Sequence, residues 1–293
     1  MKRSYLTNLL LIALIIGLYW FNNTGRSKNE MAQLTTLMSS EIQYIAISRP
    51  GETDIELQKL ASSWHIIKPI KAVANNKRIE LLLSFLDTPS YAQIKVADDT
   101  MFTQFELKPA NIVLTLNKHS MQFGGIESIS KHRYVLSDHV IHLITDRITP
   151  LLRVNATSFI ENRLIPKQNI ISKLVLPWLD NDNRVSTESV IIENNNGHWQ
   201  SNIPTITTDQ LTQLVEKWQY AYALKVHPLR DNYQANAKAY PVQIWFNNEK
   251  YAAEYSLTLN NNTLFIIAPL QQLNYQFTAA SLSQLLPSQH LQQ

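Results

Sequence analysis

The sequence contains no cysteine and only six glycines. Without thiols there can be no disulfide, no thiolate nucleophile and no Cys-ligated zinc or iron–sulfur centre, although the compartment stays open. Glycine this scarce argues against phosphate-cradling loops, and neither G-x-x-x-x-G-K-[ST] nor G-x-G-x-x-G occurs. The G-x-S-x-G elbow of serine hydrolases is missing as well. Charge is also slight: the net value is +3 over 293 residues, and no basic run extends beyond Lys2-Arg3. Nucleic-acid binding therefore has little electrostatic support. What is present is an ordinary hydrophobic fraction, 45%, which excludes wholesale disorder and supplies a core for one large domain or two ordinary ones.

Long apolar runs are confined to the beginning of the chain. Lys2 and Arg3 precede a run from Leu9 to Phe21 that extends back to Tyr5. The 17 residues of 5–21 rise roughly 25 Å as a helix, enough for a bilayer core. This predicts a single-pass anchor with residues 1–4 cytoplasmic and Tyr19-Trp20-Phe21 at the far interface. A cleaved signal peptide is the competing reading, but Asn22-Asn23-Thr24-Gly25 follows where an A-x-A-like site is needed. Either way the rest of the chain is exported, and the anchor reading places it at the bacterial inner (cytoplasmic) membrane, with a periplasmic or otherwise extracytoplasmic body beyond a juxtamembrane linker at 22–36.

The body reads as short strands punctuated by turns. "IQYIAIS", "DIELQKLA" and "WHIIKP" are β-rich segments, the last ended by Pro69. The period then changes: Ile79, Leu82, Leu83 and Leu86 recur at helical spacing, with Asn75 or Asn76 as cap and Pro89 as stop. Five further strands and a last helix near Thr145-Asp146 follow. Near Ile170 the order begins again. Val190, Ile192, Trp199 and Pro204 each stand 135 residues beyond Ile55, Leu57, Trp64 and Pro69. "TTDQLTQLVEKWQ" is again a helix, with Leu211, Leu214 and Trp218 on one face, and the remaining strands keep their sequence. An internal duplication is the expectation. The predicted fold class is α+β: a transmembrane helix, then two duplicated lobes (37–161 and 170–293, joined by 162–169), each a mainly antiparallel sheet covered by helices.

The repeated Trp–Pro pairs, Trp64/Pro69 and Trp199/Pro204, read as a corner where strand passes to helix. Tryptophan supplies a large apolar group, and proline, lacking an N–H, ends the ladder. Together with Phe123-Gly124 and Arg133-Tyr134-Val135 before Val140, they give the chain a likeness. It resembles the bacterial domain of unknown function 4340 family, over most of 40–150 and more faintly in the second half, where Gly124 has no counterpart. The resemblance implies an exported, membrane-tethered accessory protein linked to an ABC-type transporter, and it carries no active site to transfer.

Searches for chemistry lead to structural explanations. Asp138, His139 and His142, with His132 nearby, contain metal-ligating types, but His139 and His142 point to opposite faces if both lie in a strand. "DNDNR" at 180–184 has Val185 and Ile191 where a calcium loop needs Gly and an acid. The acid pairs Glu80/Asp87 and Asp209/Glu216 stand roughly 10 Å apart along a helix, too far to share one reaction, and Asp98-Asp99 reads as a solvated turn. The Asn-rich "ENNNG" and "LNNNT" fit hairpin turns.

The sequence thus predicts no catalytic residue, no cofactor and no metal. The leading expectation is a non-enzymatic, membrane-anchored accessory or assembly protein, associated with an ABC-type transport system. Its partners would be the membrane, through 5–21, and a membrane protein. The alternative is a ligand-binding module holding a glycan, lipid or peptide between the lobes; a hydrolase needs a buried acid or histidine in a pocket.

Overall fold

The computed structural model describes residues 12–20, 32–96, 98, 100–180, 182, 184–229, 238–247, 249–260 and 263–288. Helix α1 takes residues 12–20. Strand β1 (Ala32–Gln33) precedes β2 (Tyr44–Ser48), β3 (Ile55–Leu60), β4 (Ser63–Lys68) and β5 (Ala72–Val73). Helix α2 (Asn76–Leu83) leads to β6 (Pro89–Ser90), β7 (Ala92–Lys95) and helix α3 (Thr100–Gln104). Strands β8 (Ile112–Leu116), β9 (His119–Ile126), β10 (Arg133–Ser137) and β11 (Val140–Ile144) end at helix α4 (Thr149–Leu152). The second run begins with β12 (Ile171–Leu179), β13 (Val185–Asn195), β14 (His198–Ser201) and helix α5 (Thr208–Gln219). It continues through β15 (Lys225–Pro228), β16 (Ala239–Phe246), β17 (Ala253–Asn260), β18 (Thr263–Ala268), β19 (Leu273–Thr278) and helix α6 (Ala280–Leu285).

This architecture corrects the predicted fold class. Strand accounts for 45% and helix for 22%, so the molecule is mainly β and not an α+β fold of helix-covered sheets. Period-two alternation explains the outcome. Ile45 and Ile47 on β2, Leu114 and Leu116 on β8, Val242 and Ile244 on β16, and Leu264 and Ile266 on β18 are fully buried, each separated by a less buried residue. Each such side chain contributes about 1.5–3 kcal/mol on leaving water. Among the described residues the body's helices are short by comparison, the longest being the 12 residues of α5.

The transmembrane helix is corrected as well. Among the described residues no helix is long and apolar enough to cross a membrane. The described part of the predicted anchor, 12–20, is helical. Its apolar side chains are exposed, from Leu14 at 54% to Trp20 at 69%. Residues 1–11 and 21–31, holding the rest of the predicted anchor, the N-terminal segment and most of the juncture, lie outside the described residues.

The chain folds as two compact units, Met1–Glu41 with Ser84–Ile148, and Ile42–Leu83 with Thr149–Gln293. This division cuts across the sequence halves 37–161 and 170–293. In the smaller unit the strands run β8-β9-β10-β11-β7. The larger unit holds the ladder β5-β4-β3-β2 and an eight-stranded sheet, β14-β13-β12-β16-β17-β18-β19-β15.

The sequence repeat is visible in the register. In the first half Leu57 pairs with Ile66, Gln58 with His65 and Lys59 with Trp64. In the second, Ile192 pairs with Ser201, Glu193 with Gln200 and Asn194 with Trp199, every partner shifted by the same 135 residues. The preceding hairpin repeats its pairing too: Ile45 with Leu57 and Ile47 with Ile55 match Leu174 with Ile192 and Leu176 with Val190. The order β8-β9-β10-β11-β7 likewise matches β16-β17-β18-β19-β15. Both helices after the meanders start on side-chain caps. Asn75 Oδ1 accepts the Arg78 N–H at 3.1 Å, and Thr207 forms a capping box with Gln210.

Candidate ligand-binding cleft

A cleft of about 410 Å³ lies in the larger unit where three segments converge. Backbone pairing assembles it. Glu161 N–H donates to Val73 O at 2.9 Å and Asn75 N–H to Phe159 O at 2.7 Å, so the chain before α2 lies beside residues 159–161. Ala223 N–H donates to Asn162 O at 2.8 Å, and the Asn162 amide returns a bond to Ala223 O at 3.1 Å. This brings β15, the last strand of its sheet, against the 3-10 turn Ala156–Phe159. The turn is itself held by Asn155, whose Oδ1 accepts from Thr157 Oγ1 at 2.7 Å and Ser158 Oγ at 3.1 Å.

The walls are largely polar. Asn75, Arg78, Asn155, Thr157, Ser158 and Asn162 face Lys225 and His227, with Ile160, Leu224 and Val226 as the apolar part. No lining residue is acidic. Among the described residues neither the Arg78 guanidinium, the Lys225 ammonium nor the His227 ring has a hydrogen-bond or ion-pair partner. Charge recognition and amide hydrogen bonding are thus both on offer, whereas no nucleophile–base pair is assembled at His227.

A second groove, also about 410 Å³, runs between α5 and α6 in the same unit and is lined by Glu216, Lys217, Tyr220, Tyr222, Phe277 and neighbours. Beside it Tyr220, Tyr222 and Leu224 form an exposed ridge, at 62%, 53% and 64%. Arg163 supports the ridge from beneath: its guanidinium is buried, 5.3 Å from the Tyr220 ring and 5.6 Å from the Tyr222 ring. Two ring faces thus offset part of the cost of burying a cation.

The residues singled out from sequence lie elsewhere. Trp64 is buried on β4 and Trp199 half-buried on β14, each in the third strand of its meander, with Pro69 and Pro204 exposed just beyond. Phe123, Gly124, Arg133 and Tyr134 all lie in the smaller unit, where Gly124 and Tyr134 approach residues 105–107. The Phe123 ring lies 6.1 Å from Phe85, the Tyr134 ring 4.6 Å from Phe105, and Arg133 donates to Gly124 O and to Asp146. None of these lines either cleft.

The histidine cluster does not converge. Asp138 and His139 form the β10–β11 turn, both with positive φ, so His139 is not in a strand. His132 stacks on Tyr91 at 4.2 Å. His142 is buried, with Nδ1 3.0 Å from Ser90 Oγ, and burial pushes its pKa below the usual value. Because Ser90 Oγ spends its proton on Ala92 O, His142 Nδ1 is the donor. Among the described residues no three His, Asp or Glu are grouped as metal ligands. Asp180 Oδ1 accepts the Asp182 and Arg184 N–H groups, an ordinary turn. Residues 181 and 183 of that stretch, Asp99 and the tip of "LNNNT" at 261–262 lie outside the described residues.

Sequence reasoning noted Asn75 only as a cap and 162–169 only as a connection; Arg78, Lys225 and His227 were missed. No local signal marks them, since the cleft exists only once 75–78, 155–162 and 224–227 meet. Comparison of the chain with family models, curated proteins and solved structures finds no match, and lends no support to the resemblance drawn from sequence.

Proposed function

We propose that the protein is a non-enzymatic accessory module whose larger unit binds a small polar ligand. The observation that carries this reading is the cleft between Arg78, Asn155 and Lys225: a concave site of drug-sized volume with converging polar groups and three unpartnered basic side chains. A thermal-shift screen of sugars, sugar phosphates and amino acids tests it. A ligand at about 100 times its Kd stabilises by about 2.7 kcal/mol, and Leu224→Trp, at the exposed rim, abolishes that shift. If no compound raises the melting temperature, or if L224W leaves every shift intact, the reading fails.

A second role, assembly with a membrane protein of an ABC-type transport system, is supported by the ridge. Tyr220 and Tyr222 are large, exposed and held in place by Arg163, the features of an interface anchor. We place this assembly at the extracytoplasmic face of a membrane with which the apolar segment 5–21 associates. The full chain is expected to sediment with membranes and to carry a partner through mild solubilisation. The double variant Tyr220→Ser/Tyr222→Ser should still sediment but lose the partner. A chain found wholly in the soluble fraction, or an unchanged partner set with the variant, contradicts this role.

A further inference from the structure

We infer that the cleft is an oxyanion site: its ligand carries a phosphate or carboxylate group, which sits among Arg78, Lys225 and His227. The inference rests on the binding reading above and adds the chemical class. Arg78 comes from the first turn of α2, and Lys225 and His227 from alternate positions of β15, so two elements distant in sequence aim basic groups at one cleft. Some cations of the described residues pair with a carboxylate, as Lys68 does with Glu56 at 2.7 Å and Lys173 with Glu193 at 3.4 Å. These three have no such partner among the described residues, and no acid lines the cleft with them. An anion held in the cleft is attracted by both the Arg78 guanidinium and the Lys225 ammonium.

The neutral lining fits the same ligand. Thr157 and Ser158 both donate to Asn155 Oδ1, which fixes that side chain with its NH₂ as the available donor group. Asn75 and Asn162 also line the cleft, Asn75 Nδ2 donating to Asn162 Oδ1 at 3.5 Å and Asn162 Nδ2 to Ala223 O at 3.1 Å. A guanidinium, an ammonium and amide donors are the set that recognises phosphate and carboxylate oxygens. The polar walls and the volume suit a headgroup of about one sugar ring.

Calorimetry on the full chain tests the inference, with glucose 1-phosphate and glucuronate as anionic probes and glucose as the neutral control. An anionic probe should bind at least roughly tenfold more tightly than glucose. Added salt should weaken it. Arg78→Gln/Lys225→Gln should lower the affinity by a similar factor while leaving the unfolding midpoint in place. Vesicles of phosphatidylglycerol against phosphatidylcholine distinguish a lipid headgroup from a free anion. Preference for phosphatidylglycerol that disappears in the double variant supports the oxyanion site with a lipid source. Glucose binding as well as its phosphate, or anion binding that survives in the double variant, overturns the inference while leaving a binding cleft in place. Failure of every probe, charged and neutral, defeats the binding reading along with it.

Discussion

Replacing Trp218 by alanine is expected to remove about 3–5 kcal/mol of stability, the range for deleting a fully buried aromatic ring. Trp218 sits on the last turn of α5 with no exposed surface. Its neighbours on that face, Leu211, Leu214 and Val215, are buried too, so the ring extends a continuous apolar stripe. The indole also does a second job. Nε1–H donates to Leu285 O at 2.6 Å, and Leu285 is the last residue of α6, where carbonyls have no partner within the helix. Alanine therefore leaves a cavity and a buried carbonyl without its donor, two costs that add. Trp218→Phe separates them: it keeps most of the ring volume and gives up the hydrogen bond, for an expected loss of about 1–3 kcal/mol. Urea unfolding followed by far-UV circular dichroism measures both. Equal losses for alanine and phenylalanine would mean that the bond to Leu285, not the packing, is what α5 contributes.

Trp218 also shows what a reader of the sequence can and cannot obtain. Its helix was legible, because Leu211, Leu214 and Trp218 recur at helical spacing behind Thr207, Thr208 and Asp209, any of which could cap it. Its hydrogen bond to α6 was not, because it joins residues 67 apart in sequence. The same boundary runs through the whole fold. Strands announce themselves by alternation, so the meanders and the shift of 135 residues between Trp64 and Trp199 were readable, and the register carries that shift partner by partner. Helix α3 was missed. "TMFTQ" is one turn with no apolar period, and it starts because Asp98 Oδ1 accepts the Thr100 N–H at 2.8 Å. The balance of strand over helix was misjudged because a helical period in a short window does not reveal how few turns follow. The cleft was not legible at all: Arg78, Asn155 and Lys225 carry no mutual spacing, and only the pairing of 73–75 with 159–161 and of 162 with 223 brings them together.

The resemblance-bearing residues of the smaller unit lead to the second large effect. Gly124 lies in β9, and a Cβ placed there would stand 2.3 Å from Phe105 O and 3.0 Å from two atoms of the Leu107 side chain. The carbonyl cannot retreat cheaply. Phe105 O accepts the Gly125 N–H at 2.9 Å, Glu106 turns through positive φ, and Leu107 N–H donates to Phe102 O at 2.7 Å. Tyr134 packs its ring on Phe105 from one side. Arg133 is nine-tenths buried, donates to Gly124 O and pairs with Asp146 at 2.6 Å, so moving β9 away from the loop strains a buried ion pair. Gly124→Ala is accordingly expected to cost about 2–3 kcal/mol and Gly124→Val more, as overpacking against backbone. The adjacent Gly125→Ala is the control, since the nearest atoms to its Cβ would be the flexible end of Glu106, at 3.0–3.3 Å. Its expected cost is below about 1 kcal/mol. The contrast rests on two neighbouring glycines of the same strand and is read from their urea midpoints. If G125A proves as damaging as G124A, intrinsic strand geometry governs the site, and the contact with Phe105 O loses its claim as the reason glycine stands at position 124.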